Sequence, residues 1–375
     1  MMIEPATDVS TAQIVALKSD TSARLTRIWQ EMLGVESIGP DQNYFDLGGD
    51  SIIAVQLFVR IEQEFNAKFP LATLFDAPTI RELAEILQPE VSSAAWSPLV
   101  AIQPGGTRPP FFCIHPHGGN VLIYRDLSQH LGSDQPFYGL QCRGLDGAQP
   151  PLTGIEDMAA LYINEIRKAQ RHGPYFLGGY CMGGAVAFEI AQQFRLQGEQ
   201  VALLALFDTM NWTGVSMPSI WLRSYHLGQR LTFHVTNFFS LDSGSRAAFF
   251  REKAKTAWRR IRVWKSILRA KFTERSPAVE SDAWTLGQIW RANIRAYMDY
   301  DPRAYSGAVT DFRPAKQYRG WDSPELKWKG LAQGGEEIVV LPVNAPGMMA
   351  EPHVKHLAAA VTKSIDAAIR NCKAC

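Results

Sequence analysis

The chain has 375 residues, enough for about two domains. Its 38 basic and 37 acidic side chains nearly cancel, which excludes the global charge that draws a protein to nucleic acid or to an anionic membrane surface. No apolar run approaches the roughly 18 residues a membrane helix needs. Met1-Met2-Ile3-Glu4-Pro5 lacks the basic and apolar stretches of a signal peptide. Five cysteines, at 113, 142, 181, 372 and 375, show neither metal-ligand spacing nor a secretory framework. The expectation is a cytoplasmic protein without a metal, with Cys372 and Cys375 on a C-terminal tail.

In chain order, residues 1–20 are expected to form a flexible tail. From Thr21 the apolar positions Leu25, Ile28, Trp29, Met32 and Leu33 fall on one face of a helix that stops at Gly34. Asp46-Leu47-Gly48-Gly49-Asp50-Ser51 leads into a second helix with Val55, Phe58 and Phe65 inward. Thr79-Ile80-Arg81-Glu82 is a capping box opening a last helix whose inward residues are Leu83, Ile86 and Leu87. Residues 21–88 thus read as an all-α bundle. Taken alone, Ser51 is an ordinary cap or first-turn serine. Pro89, Ser92, Ser93 and Pro98 mark residues 89–98 as a linker.

Beyond the linker, short apolar strands alternate with helices, which predicts an α/β sheet over residues 99–375. Phe111-Phe112-Cys113-Ile114 is a strand followed by His115-Pro116-His117-Gly118-Gly119. A helix over 124–131, a strand over 137–140 and a helix over 158–171 follow. Pro174–Leu177 is an apolar strand, and Ala185–Phe194 is a helix with Val186, Ile190 and Phe194 in register. Between them lies Gly179-Tyr180-Cys181-Met182-Gly183, a nucleophile elbow with cysteine in the serine position. Val201–Phe207 and Ile338–Val343 are strands, the first ending at Asp208, and His353–Ile369 is a final helix. Residues 210–306 break the rhythm and hold six of the ten tryptophans, as expected of a helical lid whose aromatics form its own core or line an acyl tunnel. The basic run over 246–275 is a solvated face or a docking surface for an acidic carrier.

The run Tyr44-Phe45-Asp46-Leu47-Gly48-Gly49-Asp50-Ser51-Ile52 closely resembles the attachment motif of peptidyl carrier domains, over Ser22 to Leu87. From Leu99 to Ala368 the chain resembles the thioesterase domains that end nonribosomal peptide and polyketide assembly lines. That likeness rests on His115–Gly119, the elbow, Phe207-Asp208-Thr209 and Glu351-Pro352-His353-Val354. The resemblances imply a four-helix carrier, then an α/β-hydrolase domain with the lid. They imply 4′-phosphopantetheine on Ser51, a phosphopantetheinyl transferase to attach it, upstream assembly-line modules, and an acyl or peptidyl substrate. Cys181 becomes the nucleophile and Asp208 the triad acid, with Asp322 the candidate if the acid comes one strand later. The backbone N–H groups of Met182 and of His117 or Gly118 become the oxyanion hole, and the rings of His115 and His117 structural.

The family's catalytic histidine falls three residues before a methionine and seven before a proline; here that count lands on Ala345. His353 is the fallback base. The expected function is off-loading of the carrier-bound chain through Cys181, by hydrolysis, cyclisation or transfer, slowed at release by Ala345. The helix start at Cys181 is expected to favour its thiolate and so its loading. The alternatives are a non-catalytic, acyl-holding scaffold and a carrier-independent esterase.

Overall fold

The computed structural model describes residues 11–87, 96–213, 277–316, 328, 330–344 and 347–374. The chain divides into two compact units, one built mainly from residues 1–96 and the other mainly from residues 97 onward.

The first unit contains helices α1 (Thr11–Leu33), α2 (Ser51–Phe65), the single turn α3 (Thr73–Asp76) and α4 (Ile80–Ile86). α1 begins ten residues before its expected start: Thr11 to Asp20 contains no glycine or proline to stop it, so half of the expected tail is helix. Leu25, Ile28, Trp29 and Leu33 are buried from α1; α2 buries Ile53, Ala54, Leu57, Phe58 and Ile61, and α4 buries Ile80, Leu83 and Ala84. Met32, Val55, Phe65, Ile86 and Leu87, all expected inward, are half-buried, whereas Phe58 and Leu83 are buried as expected. Thr79 and Glu82 form the capping box. The linker expected over 89–98 lies largely outside the described residues.

The second unit is a seven-stranded sheet in the order β1-β3-β2-β4-β5-β6-β7. The strands are β1 (Leu99–Gln103), β2 (Phe111–Ile114), β3 (Phe137–Leu140), β4 (Tyr175–Tyr180), β5 (Val201–Phe207), β6 (Val309–Lys316) and β7 (Glu336–Asn344). Only β1 is antiparallel to its neighbour; the rest run parallel, which places β4 centrally. Around them lie α5 (Arg125–Leu131), α6 (Ile155–Ala169), α7 (Met182–Leu196), α8 (Pro277–Asp299) and α9 (Val354–Ala374). α7 packs on α6, and α9 packs on α5. The core is formed by the buried strands β2, β4 and β5 against α6 and α7, with Phe188, Tyr305 and Trp328 closing one side.

Strands β1 and β6 were not foreseen. In β6 the run Thr310-Asp311-Phe312-Arg313-Pro314 carries charges at alternate positions, yet Asp311 is buried in an ion pair with Arg313, which also meets Glu336 of β7. Cys372 is half-buried on α9, which runs on to Ala374, so it does not sit on the expected tail. Of the expected lid, residues 214–276, including the basic run and Trp221, Trp258 and Trp264, lie outside the described residues. Among the described residues no helix is long and apolar enough to cross a membrane.

Candidate active site

β4 runs without interruption through Gly178 and Gly179 to Tyr180, and α7 begins at Met182. Cys181 is the whole of the turn between them, with φ 54° and ψ −122°. A non-glycine residue at positive φ is uncommon and strained, and it persists only where the surroundings fix it. Here the Cys181 N–H donates to the Phe207 carbonyl at 2.9 Å and its own carbonyl accepts from Gly184 at 3.1 Å. Gly179 is required by close approach, since a Cβ there would lie 2.2 Å from the backbone carbonyl of Gly183. The end of β4 is held by Tyr124, whose buried hydroxyl accepts from the Tyr180 N–H at 2.9 Å and donates to the Ile114 carbonyl at 2.5 Å.

Met182 opens α7, and its backbone N–H reaches the Cys181 sulfur and favours the thiolate. Burial acts in the opposite direction and is the larger effect; with the nearby Asp208 carboxylate also opposing ionisation, the thiol is pushed up to about 12. The thiolate expected from the helix start is thus opposed by desolvation, although Cys181 keeps part of its surface exposed. Cys113, on β2, is fully buried and also pushed up.

Asp208 follows β5 at φ 45°, with its N–H on the Phe312 carbonyl at 3.0 Å. Strands β5 and β7 run parallel with β6 between them, so Asp208 and the end of β7 at Asn344 face the same end of the sheet. Ala345 and Asp322 lie outside the described residues. His353 sits in the turn before α9, where its backbone N–H donates to Ala350 and its carbonyl accepts from His356; the turn uses its main chain rather than its ring.

The histidines after β2 differ from each other. His115 is fully buried: its Nδ1–H donates to the Pro116 carbonyl at 2.8 Å, and its Nε2 accepts from Tyr162 at 2.7 Å. Burial lowers it to about 4, so it stays neutral and structural. The ring of His117 lies beside Cys181 instead, with Nδ1 4.0 Å from its sulfur. Two side chains of α8 hold that loop: Asn293 donates to the His117 carbonyl at 3.0 Å, and the Trp290 ring meets the imidazole edge-on with centroids 4.1 Å apart. Sequence reasoning had given His117 only a main-chain role. Cys181, Met182, Asp208 and His117 are thus gathered beyond the carboxyl ends of the interior strands β2, β4 and β5, where a strand, a tight turn and a helix N-terminus meet in the pattern of a nucleophile elbow.

Ser51 is the first residue of α2, but it is not the cap. The Asp50 carboxylate accepts the Ile53 N–H at 2.9 Å, which leaves the Ser51 hydroxyl outside the cap at a helix N-terminus. A Cβ on Gly49 would lie 2.3 Å from the Tyr44 ring, whose hydroxyl donates to the Asp50 carbonyl at 2.9 Å, so the approach to Ser51 is built tightly.

Comparison with known proteins agrees with both halves. Residues 23–87 match the family described as "Phosphopantetheine attachment site", and residues 109–217 match "Thioesterase domain". Two segments of the chain therefore match domain families, a phosphopantetheine attachment site first and a thioesterase domain after it. The cofactor of the attachment domain is covalently bound 4′-phosphopantetheine, and a hydroxyl at a helix N-terminus, where phosphate charge is favoured, suits that group. A stretch of 187 residues is 44% identical to malpinin synthetase of Mortierella alpina, covering 49% of this chain and 2% of that protein. Another of 184 residues is 41% identical to the dimodular nonribosomal peptide synthase of Bacillus subtilis (strain 168), covering 49% and 8%. The chain therefore spans a small part of the length of these relatives. A solved four-domain nonribosomal peptide synthetase, bound to AMP and glycine, shares the fold with TM-score 0.56 at 24% identity, over 97% of this chain and 27% of that one.

Proposed function

We propose that the thioesterase domain off-loads an acyl or peptidyl chain from Ser51 of its own four-helix carrier domain, with Cys181 as nucleophile. The observation that carries this reading is the strained turn at Cys181 between β4 and α7, with the Met182 N–H on its sulfur, in a chain that also holds a carrier domain.

The phosphopantetheine arm supplies a thioester carbonyl. Cys181 attacks that carbon, and the N–H groups of Met182 and His117 hold the oxygen as it becomes negative. Exchanging one thioester for another is nearly thermoneutral, so loading of Cys181 needs little driving force. Release needs water, an alcohol or an amine to lose a proton, and Ala345 offers none of the acceptor chemistry of the histidine that the resemblance places there. The domain therefore loads better than it releases. Asp208 is assigned the role of acid, orienting an imidazole at position 345 where one is present. Upstream modules and a phosphopantetheinyl transferase are the partners this reading requires, and residues 210–306 are its lid.

The test is intact-mass spectrometry after the transferase has installed an acyl arm. The acyl mass should leave the carrier domain and appear on the peptide holding Cys181, and Cys181→Ala should keep it on Ser51. An acyl-holding scaffold predicts no transfer in either protein.

A further inference from the structure

We propose that the imidazole of His117 takes the proton from Cys181 when the thioesterase domain is acylated. The inference rests on Cys181 being the nucleophile. Its basis is geometric: Nδ1 of His117 lies 4.0 Å from the sulfur, the ring stands against the edge of Trp290, and Asn293, itself fully buried, fixes the main chain beneath it. A sulfur–nitrogen contact of this length is loose for a proton transfer, as catalytic hydrogen bonds commonly are before substrate tightens them.

The electrostatics of the two groups agree. Burial lowers His117 from its ordinary value, so near neutral pH the ring is uncharged and able to accept. Burial raises the Cys181 thiol to about 12, so the sulfur arrives protonated and requires an acceptor. The gap between them disfavours a resting thiolate–imidazolium pair. The proton moves to Nδ1 as the sulfur bonds the thioester carbon. When the tetrahedral adduct collapses, the bond to the donor sulfur breaks and His117 returns the proton to that leaving sulfur. Thiol and thioester go in, thiol and thioester come out, and the imidazole ends unchanged.

The main chain of His117 is assigned a separate task, so the side chain is tested by variants that keep the backbone N–H. The full chain, without its arm, is mixed with the acetyl thioester of N-acetylcysteamine, and acetylation is timed at the Cys181 peptide. His117→Asn keeps a polar atom near the Nδ1 position but accepts no proton; it should acetylate about 10²-fold more slowly or worse. His117→Ala should be equally slow, and added imidazole should restore part of its rate, which a purely structural role would not allow. Cys113 should stay unmodified throughout, reporting an intact core. Equal rates for the parent and His117→Asn, or no response of His117→Ala to imidazole, overturn the role of His117 while leaving Cys181 as nucleophile. A parent that is never acetylated at Cys181 overturns the nucleophile assignment and the inference with it.

Discussion

Replacing Gly179 with alanine tests whether the elbow geometry is what makes Cys181 useful. The added Cβ would lie 2.2 Å from both the carbon and the oxygen of the Gly183 carbonyl and 2.5 Å from the Gly184 nitrogen. Non-bonded carbons settle at about 3.5–4.0 Å, so the first turn of α7 must move by more than about 1 Å. Every atom met is backbone, and no rotamer change can relieve the contact. Overpacking of this kind costs about 1–3 kcal/mol, which for a domain of this size lowers the melting temperature by roughly 2–12 °C. The functional cost should be larger than the stability cost suggests. A displacement of about 1 Å carries the Met182 N–H away from the reacting carbonyl, and misplacement on that scale costs roughly 10²-fold in rate. Gly287→Ala on α8 is the control: nothing lies within 4 Å of the new Cβ, and relief of helix entropy should stabilise by about 0.5–1 kcal/mol. Scanning fluorimetry reads the melting temperatures, and the rate of Cys181 acylation by a soluble thioester reads the geometry. A Gly179→Ala protein with parental melting temperature and parental acylation would refute the account of the elbow.

Ser51→Ala should abolish the mass increase given by a phosphopantetheinyl transferase with coenzyme A, and any remaining modification would place the arm elsewhere. Alkylation of Cys181 by iodoacetamide at neutral pH should be slower than that of an ordinary thiol, and should keep climbing with pH to at least about pH 10, because the pH stays below the raised pKa over that range. Asp208→Asn removes a negative charge that opposes the thiolate, so it should lower the thiol pKa and speed alkylation while slowing acyl release; peptide mapping and product analysis should move in opposite directions. Ala345→His should raise the rate of acyl release by roughly 10²-fold or more, and His353→Ala should leave it unchanged; the opposite pattern, measured by product mass, would make His353 the base.

Local signals carried most of what the chain disclosed in advance. The elbow was legible because a strand, a sharp turn and a helix leave their marks within about twenty residues, and because only glycine fits at Gly179. The capping box at Thr79 and the stop of α1 at Gly34 were legible for the same reason. What escaped depends on partners distant in the chain. β6 looks too polar for a central strand until Arg313 and Glu336 are seen to enclose Asp311, whose carboxyl burial raises to about 6. The depth at which Cys181 sits is set by several elements at once, so a helix-start argument took one contribution for the whole. His117 stands 64 residues from Cys181, and only the curl of the loop after β2, held by Asn293 from α8, turns its ring toward the sulfur.

The phenol of Tyr124 has a further consequence. Were β2 and β4 to stay paired for one more step, the Tyr180 N–H and the Ile114 carbonyl would be joined directly. Instead a hydroxyl is inserted between them, bonded to both. Two strands that satisfy their last polar groups through a third atom are free to splay without leaving either group dry and unpaired. Tyr124 is therefore a wedge as much as a tie. It takes over from the regular pairing of β2 and β4 at the last step before β4 gives way to the tight turn at Cys181.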